Sequence, residues 1–90
     1  MSDTERVIYD AIRKVKPSLT ETELTRATRF DKFDISSLEM AMIIFEINDI
    51  FDIEVELYTL MTLATIGDAC EHVDQVRGHL SLANKRHSNA

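Results

Sequence analysis

A chain of 90 residues holds one domain with a modest core, since roughly 60–65% of the unfolded surface of so short a chain is buried on folding. A hydrophobic content of 44% is too high for a disordered chain, and two Gly and one Pro are too few for the tight turns of a β-sandwich or barrel. The net charge of −6, the single Cys and the lack of any apolar run near 18 residues argue against nucleic-acid binding, a disulfide-stapled secreted domain and a membrane span.

Asp3 or Thr4 can cap a first helix, with Glu5 in its first turn. Val7, Ile8, Ala11, Ile12 and Val15 recur on one face at helical spacing. Arg13, Lys14 and Lys16 suit its C-terminal end, and Pro17 stops it. The polar, acidic start Met1-Ser2-Asp3-Thr4-Glu5 is unlike a signal peptide, so a soluble cytoplasmic protein is the expectation.

Residues 17–36 form a connection too long for an ordinary helix–helix turn. Leu19, Leu24, Phe30, Phe33 and Ile35 can pin it to a core, and a helical turn is expected around Thr22–Arg26. Loops of this length in a compact domain are often functional.

Ser36-Ser37-Leu38-Glu39 reads as a capping box, Ser36 being the N-cap and Glu39 the third helical position. Ser37 then opens a second helix that runs to about Phe51. Met40, Ile43, Ile44, Ile47 and Phe51 form its core stripe. Leu38, Ala41, Met42 and Phe45 fall off that stripe, beside Glu46, Asn48 and Asp49. They either face solvent as a partner surface or lie under neighbouring segments.

Asp52-Ile53-Glu54-Val55-Glu56 alternates like a strand but has no pairing partner, so it reads as an extended connection. A short third helix is expected from Leu57 to about Thr62. Thr65-Ile66-Gly67-Asp68 looks like a second box, with Asp in place of Glu. It opens a last helix that buries Ile66, Ala69, Cys70, Val73 and Val76 and ends near Gly78. The fold expected is all-α, one domain over 1–80 followed by a flexible polar tail over 81–90.

From Phe33 to Asp74 the chain carries ten acidic residues and no Lys or Arg. Such a block repels nucleic acid. It either steers basic partner surfaces or simply keeps a small protein in solution.

Ser37 sits where a helix presents free amides and a positive partial charge, which favours an anion attached there. The run Asp34-Ile35-Ser36-Ser37-Leu38-Glu39-Met40-Ala41-Met42-Ile43-Ile44-Phe45-Glu46 resembles the phosphopantetheine attachment region of acyl carrier proteins. In that family an Asp-Ser-Leu triplet opens the second helix of a four-helix bundle. Ile47-Asn48-Asp49-Ile50-Phe51-Asp52-Ile53-Glu54-Val55, Thr65-Ile66-Gly67-Asp68 and Thr28-Arg29-Phe30 resemble further segments of the same family, so the likeness spans roughly Thr4 to Val76.

The resemblance implies a four-helix bundle of acyl-carrier type with a long first loop and a short third helix. It implies a carrier, not an enzyme, that holds acyl groups as thioesters on 4'-phosphopantetheine attached to Ser37. Fatty-acid, polyketide or related acyl metabolism is the implied setting. The implied partners are a phosphopantetheinyl transferase and acyl-transferring or ketosynthase-type enzymes with basic surfaces. They would dock on Leu38, Ala41, Met42 and Phe45, with Glu39, Glu46 and Asp49 orienting them. An acyl chain would shelter among Ile43, Ile47, Leu60, Met61, Ile66 and Ala69, in a monomer without nucleic acid, metal or stable membrane insertion. Two residues depart from the family's pattern. Ser36 stands where the family has Asp before the modified serine, and Met42 where it usually has Glu. The first removes a carboxylate near the transferase, and the second points to specialised partners.

Other readings fit less well. A calcium loop starting at Asp31 or Asp49 would place Ser36 or Glu54 where Gly is needed, and Met42 or Leu60 where Glu is needed. Cys70 lies in an apolar stripe, no nucleophile elbow surrounds Ser37, and His72, His79 and His87 form no ligand pattern. A carrier-like fold that is never modified and acts as an interaction module is the remaining alternative.

Overall fold

In the computed structural model, which describes the backbone over residues 2–88 and side chains over 2–78, four α-helices follow one another. They are α1 (Asp3–Val15), α2 (Ser37–Phe51), α3 (Leu57–Met61) and α4 (Ile66–Ser88), with short 3-10 turns at Pro17–Leu19 and Phe30–Lys32. No strand occurs among the described residues beyond a single bridge between Arg29 and Thr65. The all-α bundle with a long first loop and a short third helix is as the sequence predicts.

α1 starts one residue earlier than expected. Its cap is Ser2, whose Oγ accepts from the Glu5 amide at 3.1 Å. Thr4, a candidate cap, is instead buried, and its hydroxyl donates to Asp74 and accepts from Arg77 Nη1 at 2.8 Å. Ile8, Ala11 and Ile12 are buried as the spacing predicts, while Val7 and Val15 pack at the edge. Tyr9, which the spacing leaves out, is buried too, with its hydroxyl turned outward to donate to Glu5.

The long loop is pinned by Leu19 and Leu24 in the core and by half-buried Phe30, Phe33 and Ile35. The helical turn expected around Thr22–Arg26 does not form. Thr25 and Thr28 hold a reverse turn instead, the Thr25 amide donating to Thr28 Oγ1 at 2.9 Å and the Ala27 amide to Thr25 Oγ1 at 3.2 Å. The loop's backbone then serves α4. The carbonyls of Thr28 and Arg26 accept from the Ile66 and Gly67 amides at 2.9 and 2.8 Å. A Cβ on Gly67 would lie 2.9 Å from the Arg26 carbonyl oxygen, so only glycine permits this approach.

α2 buries Met40, Ile43, Ile44 and Ile47 and half-buries Phe51. It ends at Asp52, which adopts the left-handed conformation with φ 54°. The extended segment beyond alternates as its sequence does, with Ile53 and Val55 buried. The Asn48 side chain supplies its missing strand partner, accepting from the Val55 amide at 2.8 Å and donating to the Val55 carbonyl at 3.2 Å.

α4 buries Ile66, Ala69, Cys70 and Val73, with Val76 at the edge. It does not end near Gly78 but continues to Ser88. Gly78 is not in the left-handed conformation that a glycine stop requires. Burial pushes the Cys70 thiol up to about 11, so it stays neutral and packs as a small apolar residue. Arg77 stacks on the Phe51 ring with its guanidinium 3.9 Å from the centroid, joining α4 to the end of α2.

Candidate functional site: the start of α2

The capping box predicted at Ser36 forms in both halves. Ser36 Oγ accepts from the Glu39 amide at 3.1 Å, and Glu39 Oε1 accepts from the Ser36 amide at 2.9 Å. The backbone amide of Ser36 holds the Glu39 carboxyl below the usual carboxylate range, helped by the nearby Lys16 ammonium. Lys16 ties the end of α1 to this corner, its Nζ donating to the Asp34 carbonyl at 2.6 Å and lying 3.4 Å from Glu39. The approach to α2 is therefore fixed from two sides.

Ser37 stands at the first position of the helix and is exposed. Among the described residues, no protein acceptor takes the amide of Ser37 or Leu38. The two N–H groups are left pointing out of the helix end, where an anion is favoured. Beside Ser37 opens a groove of about 190 Å³ lined by Phe30, Phe33, Ile35, Met40, Leu60, Met61 and Leu63, with Asp31 and Ser36 at its polar edge. Arg29 clamps Asp31 through two nitrogens at 3.0 and 3.1 Å and holds its carboxyl below the usual range. That carboxylate is thus already paired and is a weaker obstacle to a phosphodiester on Ser37.

Those features fit a phosphorylated arm on Ser37: an accessible hydroxyl, two unspent amides and an apolar groove at the same point. Of the residues expected to shelter an acyl chain, Leu60 and Met61 line the groove. Ile43, Ile47, Ile66 and Ala69 lie instead in the closed core behind it.

The outward face of α2 gathers Leu38, Met42, Phe45 and Asp49 at helical spacing. Leu38 is 71% exposed and Phe45 76%, so neighbouring segments do not cover this face. Ala41 is half-buried on its edge. Glu46 and Glu39 lie on the other edge, toward α1, where Lys14 Nζ reaches Glu46 Oε1 at 3.0 Å. Asp49 is exposed and forms no ion pair among the described residues. The pairing of Glu46 and Glu39 with α1 could not be read from spacing, because it depends on how the two helices pack.

No group of His, Cys, Asp or Glu among the described residues could hold a metal ion. The side chains of His79 and His87 lie outside the described residues, and His72 is half-buried on α4. No helix among the described residues is long and apolar enough to cross a membrane.

Residues 11–73 match the family model described as phosphopantetheine attachment site. An acyl carrier protein of Streptococcus pyogenes serotype M3 is 42% identical over 53 residues, which cover 59% of this chain and 69% of that protein. One of Streptococcus pneumoniae serotype 4 is 37% identical over 54 residues, covering 60% and 70%. No solved structure gives a significant match. With the match spanning every element from the middle of α1 into α4, the chain belongs to the phosphopantetheine attachment-site family, as a carrier of the acyl carrier protein kind and not an enzyme.

Proposed function

We propose that Ser37 is the attachment residue and that the chain delivers acyl groups, held as thioesters, to partner enzymes of fatty-acid, polyketide or related acyl metabolism. One observation carries this reading: an exposed serine hydroxyl at a helix start whose first amides are free, opening on an apolar groove. When bound, 4'-phosphopantetheine supplies the thiol that carries the acyl group. The protein's own part is to hold that arm's root in one place. The capping box and Lys16 fix the backbone at Ser36 and Ser37. The amides of Ser37 and Leu38 favour the phosphodiester's charge, and the groove offers apolar walls to the part of the arm or cargo nearest the helix.

A transferase must reach Ser37 from coenzyme A, and acyl-handling enzymes must meet the same end of the molecule. Leu38, Met42 and Phe45, with Ala41 at the edge, offer them a contiguous apolar face next to the site. Of the three carboxylates expected to orient partners, Asp49 is the one left unpaired to meet a partner's cation.

The test is intact mass after incubation with coenzyme A and a broad-specificity phosphopantetheinyl transferase. Wild type gains one phosphopantetheine and Ser37→Ala gains none. If neither changes mass, and Ser36→Asp does not restore uptake, the chain is an unmodified interaction module and the reading is wrong.

A further inference from the structure

The groove beside Ser37 is open, and the core behind it is shut. Ser36 and Ser37 themselves belong to the lining of the groove. Met40 and Leu60 are buried and form its floor, while Met61 is half-exposed at its mouth. Behind that floor Ile43, Ile47, Ile66 and Ala69 are at most 1% exposed. Interiors of this kind are packed to the density of organic crystals, so a chain entering them has to displace side chains.

A volume of about 190 Å³ falls short of the roughly 300–1,000 Å³ of clefts that enclose a drug-sized ligand. The groove therefore takes a fragment, not a whole arm with a long acyl chain. The tether decides which fragment. A group fixed to the Ser37 hydroxyl meets the groove within its first few bonds, whereas the thiol that carries the cargo is at the far end of the arm. Next to the phosphate, phosphopantetheine has its pantoyl unit: a quaternary carbon bearing a pair of methyls, then a carbinol, then an amide. Apolar walls with a carboxylate at the edge match methyls followed by a hydroxyl donor. Arg29 Nε and Nη2 hold that carboxylate, Asp31, in one orientation at 3.1 and 3.0 Å. Its oxygens keep acceptor positions free for a hydroxyl. The tether makes the contact intramolecular, so a modest fit is enough to fill the groove.

We propose that the groove is a resting site for the pantoyl unit of the arm, with its methyls against Phe30, Phe33 and Met61 and its hydroxyl on Asp31, and that the acyl cargo is carried outside the bundle. This rests on attachment at Ser37 and goes further: the root of the arm is held and the thioester is not. An acyl-handling enzyme then meets the thioester in solvent and has no core to open.

The experiment compares apo chain, holo chain loaded from coenzyme A, and chain loaded from butanoyl- or dodecanoyl-coenzyme A, each checked by intact mass. With isotope-labelled protein and an unlabelled arm, the pantoyl methyls are expected to give NOEs to the Phe30 and Phe33 rings and to the Met61 methyl. Met61→Asn, at a half-exposed position, should lose those to the rings while helical circular dichroism is retained. Tm should rise by about 4–8 °C from apo to holo, because the tethered unit binds only the folded state. Between butanoyl and dodecanoyl it should then change by less than about 2 °C. A chain that entered the core would instead raise Tm with every CH₂ it buried. Pantoyl methyls without NOEs to the groove overturn the proposal. So does a Tm that climbs steadily with acyl length. If no mass is gained, attachment at Ser37 fails and the proposal falls with it. Mass gain with either of the two overturning results refutes the proposal alone.

Discussion

α2 and α4 begin with the same device and end in different places. Ser36 with Glu39, and Thr65 with Asp68, are reciprocal boxes in which a hydroxyl caps the third amide and a carboxylate returns to the cap. At α4 the next two amides go to the carbonyls of Thr28 and Arg26, and the first helical residue, Ile66, is 0% exposed. At α2 the corresponding amides of Ser37 and Leu38 find no protein acceptor, and the first helical residue is an exposed serine. Capping alone therefore does not make a site. What distinguishes the start of α2 is that the loop which seals one helix leaves the other open.

The comparison can be broken at either start. The largest effect expected is at the open one: Ser37→Ala abolishes phosphopantetheine uptake by intact mass, while stability changes by no more than ~0.5 kcal/mol, as for an exposed surface change. Next comes the closed start. Gly67→Ala drives a Cβ to 2.9 Å from the Arg26 carbonyl oxygen, a clash with backbone rather than with a yielding side chain. It should cost about 1–3 kcal/mol, and thermal unfolding would show it as a lowered Tm. Uptake by the folded fraction would be retained. Equal stability of wild type and Gly67→Ala would mean that the loop does not seal α4.

Removing the caps sharpens the contrast. Ser36→Ala and Thr65→Ala should each cost about 1 kcal/mol in denaturant unfolding. Only Ser36→Ala should also slow uptake, because only that box holds the backbone of Ser37, the proposed attachment residue. The smallest effect is the pH dependence of the open box. Glu39 has its carboxyl held down by the Ser36 amide, so its contribution is complete above the unfolded value of about 4.3 and is lost as pH falls through the lower folded value. Protection of the Ser36 amide against exchange, taken relative to the free-peptide rate at each pH, should fall over that acid window, and Glu39→Gln should remove the dependence while keeping part of the cap.

Much of this was legible because it is local. The Ser36 box, the core stripe of α2 and the burial of Ile66, Ala69, Cys70 and Val73 follow from spacing within one helix. Spacing sets Leu38, Ala41, Met42 and Phe45 off that stripe but leaves open whether neighbouring segments cover them; packing leaves Leu38, Met42 and Phe45 exposed and half-buries Ala41. What escaped reading is non-local or conformational. The seal on α4 uses backbone carbonyls, which no side-chain pattern advertises. Lys14 and Lys16 meet Glu46 and Glu39 only because α1 lies along α2. Spacing ends α4 near Gly78, whereas the helix runs on to Ser88, because a glycine marks a stop only when it turns left-handed, and here it does not. The turn at Thr25–Thr28 defeated a helical reading because hydroxyls bonded to nearby backbone compete with helix formation.

The contact of Thr4 with Asp74 and Arg77 has a consequence for the order of assembly. It joins residues 70 and 73 positions apart, and Arg77 goes on to stack against Phe51 at the end of α2. Contacts so distant in sequence close late in folding, after the entropy of looping has been met. On the ribosome α1 and α2 emerge long before α4, so Thr4 waits for its partners until nearly the whole domain has been synthesised. A nascent chain would thus expose its serine before its bundle is locked, and a transferase that needs the finished fold would act only after α4 has docked.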